Sequence, residues 1–172
     1  GSYGTEVELL RRYMDKNHAY WSGGIPLYHY GLAYIDHDWS DQGAGYFAGL
    51  YGAAAYHALL WPGPAETPVG KSDYVANRLQ LPYYGLTQVW THADHFAHSF
   101  HTGGLCYESE VHARNPRSVG YNLDGCHICD WPAAEGRSFL CGGYVYNDSP
   151  SSLAVIGTSK SGGMLRFHSF YR

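Results

Sequence analysis

Charge is scarce in this sequence of 172 residues: only 15% are Asp, Glu, Lys or Arg, with 11 basic against 15 acidic side chains. A protein that grips nucleic acid through phosphates needs a basic patch, and a net charge of −4 argues against one. Long apolar runs are missing too. No stretch approaches the roughly 18 residues that would span a bilayer, and the first helical stretch carries Glu6, Glu8, Arg11 and Arg12. Neither membrane insertion nor an intact signal peptide is expected. Gly1-Ser2 reads as a cloning scar, which leaves a native leader open. Also missing are the G-x-S-x-G elbow and the G-x-x-x-x-G-K-[ST] phosphate cradle, and no cysteine stands in a family-specific catalytic context.

What is abundant is rings. The chain has 17 Tyr, 5 Trp and 6 Phe, beside 22 Gly and 11 His. Tyrosine offers a stiff, large contact area with a polar tip, and glycine and serine let loops adapt around it, so the composition points to recognition. The same rings would also fill the core of a small β-rich domain.

All four cysteines, Cys106, Cys126, Cys129 and Cys141, lie in the second half. They allow two disulfides in three connectivities. Cys126 and Cys129 could equally open a structural zinc site closed by Cys106 and Cys141, and free buried thiols are the third option.

Along the chain, Thr5-Glu6-Val7-Glu8 reads as a capping box, and Val7, Leu10 and Met14 continue as the apolar stripe of a helix reaching about His18. Period-two rings over 25–35 predict a strand. Ala44, Phe47, Ala48, Tyr51, Ala55 and Leu59 predict a second helix over 43–60, ended by Trp61-Pro62-Gly63-Pro64. From Leu105 onward short strands are expected over 105–112, 119–123, 137–146, 153–156 and 164–171. Helices first and strands afterwards suggest one α+β domain over 1–172, with mainly antiparallel strands rather than alternating βαβ units.

Three polar patterns could carry chemistry. His92, His95, His98 and His101 recur every third residue and invite a metal-dependent hydrolase. Asp36-His37-Asp38 could bind a cation or orient a base. Glu108-Ser109-Glu110 has the E-x-E spacing of ADP-ribosylating toxins, where two carboxylates on one strand face position the nicotinamide ribose and its acceptor. An enzyme of either kind, secreted, is the alternative function.

The C-terminal segment carries a family resemblance. Phe139-Leu140 leads to Gly142-Gly143, then a polar and aromatic run, then Gly162-Gly163 and Met164-Leu165-Arg166-Phe167. This frame resembles the variable region of diversity-generating retroelement target proteins, which have a C-type-lectin-like fold. Between Tyr144 and Ser161 only Lys160 belongs to the residue types that adenine-directed diversification cannot reach. The first half lacks the Trp-rich, Arg-Leu-Pro motif of better-known sulfatase-modifying relatives. The resemblance implies a non-catalytic ligand-binding protein without a cofactor, displayed on a virion or cell surface and docking a protein or glycan. Its contact residues would be Tyr144, Tyr146, Asn147, Asp148, Ser149, Ser151 and Ser152, with Thr158 and Ser159 at the edge; a homo-oligomer is compatible with this reading.

Overall fold

The computed structural model describes residues 3–39, 56–60, 69–81, 84–101, 104–131 and 138–161, the backbone alone for 56–60. Five strands form one sheet: β1 (Gly31–Ile35), β2 (Tyr56–Leu60), β3 (Leu86–Trp90), β7 (Gly120–Asp124) and β8 (Ala154–Gly157). Their spatial order is β2-β1-β3-β7-β8, and every neighbouring pair is parallel. Counting only these strands along the chain, the order is the 2-1-3-4-5 of doubly wound α/β sheets. Three short strands, β4 (His92–Ala93), β5 (Ala97–Ser99) and β6 (Leu105–Tyr107), make a separate antiparallel sheet between β3 and β7.

Helices and strands do mix within this chain, but the expected antiparallel meander is overturned. β1 is buried along its whole length, and β3 and β7 at all but their first residue. Strands covered on both faces need no polar alternation, so the period-two reading of 25–35 contains β1 and the expected 119–123 nearly matches β7, but neither carries a sign of the parallel pairing. The helix expected over 43–60 falls largely outside the described residues, and its end, Tyr56–Leu60, is β2. The strand expected over 105–112 stops at Tyr107 and becomes helix α3 (Glu108–Arg114). That expected over 137–146 is helix α4 (Leu140–Val145). Gly143 explains the change: a Cβ there would stand 2.8 Å from the Glu108 carbonyl oxygen, so only glycine lets α4 lie flush against α3. Close packing here outweighs the weak helix propensity of paired glycines. The strand expected over 164–171 lies outside the described residues.

Helix α1 (Glu6–Trp21) forms with the expected capping box, Thr5 and Glu8 each bonding the other's backbone amide. Its apolar stripe, however, faces outward: Val7, Leu10 and Met14 are all exposed. The face turned inward carries Lys16, whose Nζ donates to the carbonyls of Val145 (2.5 Å) and Asn147 (3.2 Å) at the end of α4. Burial pushes the Lys16 ammonium down to about 8. Arg12 adds an ion pair with Asp148 at 2.5 Å. A short helix α2 (Lys71–Asp73), continued by a π turn over Tyr74–Arg78, places Tyr74 in the core beside Tyr34, Phe100 and Tyr144. No helix among the described residues is long and apolar enough to cross a membrane.

Candidate functional site

In an open parallel sheet, function gathers at the carboxyl ends of the strands, beside the point where the strand order reverses. Here the reversal falls between β1 and β3. The residues following β1, β3 and β7 at that edge include Asp38, His92 and Cys126.

Asp38 sits on a one-turn 3-10 helix, His37–Trp39. The buried Asp36 carboxylate builds that turn: Oδ1 accepts the His37 amide (2.8 Å), and Oδ2 accepts the His101 amide (2.7 Å) beyond β5. The Asp36 amide donates to Trp90 O at 2.8 Å, carrying the β1–β3 ladder past the strand ends. Asp38 Oδ2 thereby meets His92 Nε2 at 2.7 Å, and the Trp39 ring lies 4.8 Å from the His92 ring. A carboxylate on Nε2 holds the proton there and leaves the Nδ1 lone pair to accept another.

Cys126 comes to the same edge one strand further on. Trp90 of β3 pairs with Asp124 of β7, and the Thr91 amide donates to Asp124 O at 3.1 Å, so His92 and Cys126 each stand two residues beyond matched positions. Gly125 tightens the approach. A Cβ on it would lie 2.6 Å from Thr91 O and 2.8 Å from Ala93 Cβ, so the residue before Cys126 packs against both chain neighbours of His92. Cys126 is a free thiol, partly exposed. The turn that carries it is braced from behind. The Cys129–Cys141 disulfide ties it to α4, and the amides of His127 and Cys129 donate to Lys160 O and Thr158 O. His127, in the left-handed region at φ 56°, is held by Asp130 at 3.1 Å and Ser161 at 2.9 Å.

Beneath this edge runs a buried polar chain. Thr91 Oγ1 meets His98 Nδ1 at 2.9 Å, His98 Nε2 meets the Tyr144 hydroxyl at 2.7 Å, and Tyr144 meets the Tyr74 hydroxyl at 2.6 Å. Full burial of His98 pushes its imidazole down to about 3, so it is neutral in the folded protein. An unfolded histidine protonates near pH 6.5, so on acidification the unfolded chain takes up a proton that the folded one refuses. Stability is therefore lost as pH falls from there toward 3. Between about pH 7 and about pH 5 the expected loss is about 2 kcal/mol. Denaturant titrations at the two values check this, and His98→Asn should flatten the slope.

The remaining sequence candidates part company. Among the described residues no three metal-ligating side chains converge. The every-third-residue histidines are split by the β4–β5 hairpin, where His92 bonds Asp38, His95 lies tilted against the Phe96 ring, His98 is buried and His101 lies tilted against His37. The four-cysteine zinc alternative is corrected as well, since Cys129 and Cys141 are joined to each other and Cys106 is buried in the core. Burial raises the Cys106 thiol to about 12. Glu108 and Glu110 begin helix α3 instead of sharing a strand face; Glu108 accepts the Tyr3 hydroxyl, and Glu110 pairs with Lys71 at 3.0 Å.

Four of the nine residues of the expected docking surface are interior. Tyr144, Asn147, Ser149 and Ser152 are buried. Asn147 Nδ2 donates to the carbonyls of Gly143 (3.2 Å) and Tyr144 (2.5 Å), and Ser152 Oγ donates to Tyr144 O at 2.5 Å, so both close the exposed carbonyls of α4. Ser151 donates to Arg117 O at 2.7 Å, and Thr158 donates to the carbonyl of Gly125, directly behind Cys126. Tyr146 is half-buried, while Asp148 and Ser159 are exposed. Asp38, His92 and Cys126 fall in three separate sequence patterns, and reading these one at a time misses that the sheet sets the three at neighbouring strand ends, with Asp38 bonded to His92. The signal was there: β1, β3 and β7 each run within two or three residues into one of them.

Comparison with protein-family models, curated proteins and solved structures finds no match for this chain.

Proposed function

We propose that the protein is a thiol acyl hydrolase or acyltransferase, with Cys126 as nucleophile, His92 as general base and acid, and Asp38 as the group that orients His92. The observation that carries this is the order Asp38, His92, Cys126 across three neighbouring strand ends, with the 2.7 Å Asp38–His92 bond selecting the free imidazole nitrogen. A nucleophile, a base and an orienting carboxylate in sequence are the elements of covalent acyl transfer.

The chemistry balances on these residues. The Cys126 proton passes to His92 Nδ1 while Sγ forms a bond to the acyl carbon. The leaving group takes that proton from His92 as its bond to the acyl carbon breaks, leaving a thioester. Water, or another acceptor, gives a proton to His92, attacks the thioester and frees Cys126 as a thiol. Substrates are acyl compounds: amides, esters or thioesters. The disulfide behind the site favours an oxidising, extracellular or surface compartment.

The retroelement-variable, C-type-lectin-like reading has less behind it. Its two tyrosine anchors would have to dock a ligand, yet one of them is wholly buried.

Reaction with iodoacetamide at neutral pH, mapped by peptide mass, tests the site without a known substrate. Cys126 is expected to label fast and Cys106 not at all, and His92→Ala should slow Cys126 by about tenfold or more, less than the roughly hundredfold at which base assistance of a full catalytic step begins. Equal rates in the wild type and His92→Ala would overturn the assignment.

A further inference from the structure

The Thr91–His98 pair lies outside the three residues just assigned, and nothing in the proposed chemistry uses it. We propose that Thr91, anchored by the buried His98, is a positioning residue that sets the backbone carrying His92. This rests on the reading of Cys126 and His92 as a reactive pair.

Thr91 is the single residue between β3 and β4, immediately before His92, and is fully buried. Three independent contacts converge on it. Its amide donates to Asp124 O at 3.1 Å, its carbonyl oxygen lies against Gly125, and its hydroxyl meets His98 Nδ1 at 2.9 Å. The first two fasten it to the strand end that leads to Cys126. The third fastens it to β5, and through Tyr144 to α4, the helix that the disulfide joins to the Cys126 turn. The hydroxyl is thus the point where the His92 strand is referenced to both supports of Cys126. His98 suits this task because both ring nitrogens are engaged and no water reaches it. A neutral imidazole has one donor and one acceptor nitrogen, so His98 donates to one of the Thr91 and Tyr144 hydroxyls and accepts from the other. A valine at 91 would keep the shape and leave His98 Nδ1 without its partner.

The test is a double-mutant cycle on the rate of Cys126 alkylation by iodoacetamide, using the full chain with its disulfide intact. Thr91→Val should slow Cys126 about fivefold, a loss typical of coupled neighbours. Thr91→Ser, which keeps the hydroxyl, should remain within about twofold of the wild type. In the His92→Ala background, Thr91→Val should produce no further slowing, because its effect passes through His92. Melting temperatures of the same variants separate this from plain destabilisation, which a missing hydroxyl causes equally with or without His92. The inference is overturned if Thr91→Val leaves the rate unchanged, or if it slows Cys126 equally in the presence and absence of His92. An unchanged rate in His92→Ala alone overturns the site assignment itself, a distinct result.

Discussion

Cys126→Ala should lower the turnover of an activated acyl ester or thioester by about a thousandfold or more, the scale seen when a covalent nucleophile is removed. The melting temperature should stay within a degree or two, since Cys126 lies outside the hydrophobic cluster and is already partly exposed. Asp38→Asn should cost less. Its carboxylate is 41% exposed, so water can partly replace its bond to His92. A steady-state assay on the purified variants checks both, with circular dichroism confirming the fold. Turnover that persists in Cys126→Ala would assign the chemistry elsewhere.

The second large effect concerns stability. Tyr144→Ala removes a ring that is wholly buried, tilted against Tyr121 at 4.6 Å, and bonded through its hydroxyl to both Tyr74 and His98. Loss of a buried aromatic costs about 3–5 kcal/mol. For a chain of this size that lowers the melting temperature by about 6–20 °C. Tyr144→Phe keeps the packing and strands two buried partners, for about 1–3 kcal/mol. Had Tyr144 been a surface anchor, both variants would melt like the parent. Thermal unfolding followed by far-ultraviolet circular dichroism decides between these outcomes.

Those two experiments mark how far the sequence could be read. The start of α1 was legible because a capping box is local: Thr5 and Glu8 need only each other. Its orientation was not, since whether Val7 or Lys16 faces inward depends on α4, more than a hundred residues away. β7 and β8 were placed almost to the residue, yet their partners were not. A parallel sheet pairs strands separated by long connections, and nothing within either strand records its neighbour. The same gap hid the site. His92 and Cys126 are 34 positions apart in the chain, and only the parallel Trp90–Asp124 register brings them to one edge. Gly142-Gly143 misled for a related reason. The run around the pair reads as a strand over 137–146, whereas it is helix α4, and Gly143 is small because the Glu108 carbonyl passes over it.

The Cys129–Cys141 bridge has a practical side. Enzymes with thiol nucleophiles are routinely handled in strong reductant to keep the sulfur active. With Cys126 as the proposed nucleophile that habit works against itself, because the dithiothreitol that rescues one oxidised cysteine also unfastens the buckle three positions downstream. Purification and assay therefore call for a mild monothiol, or for none.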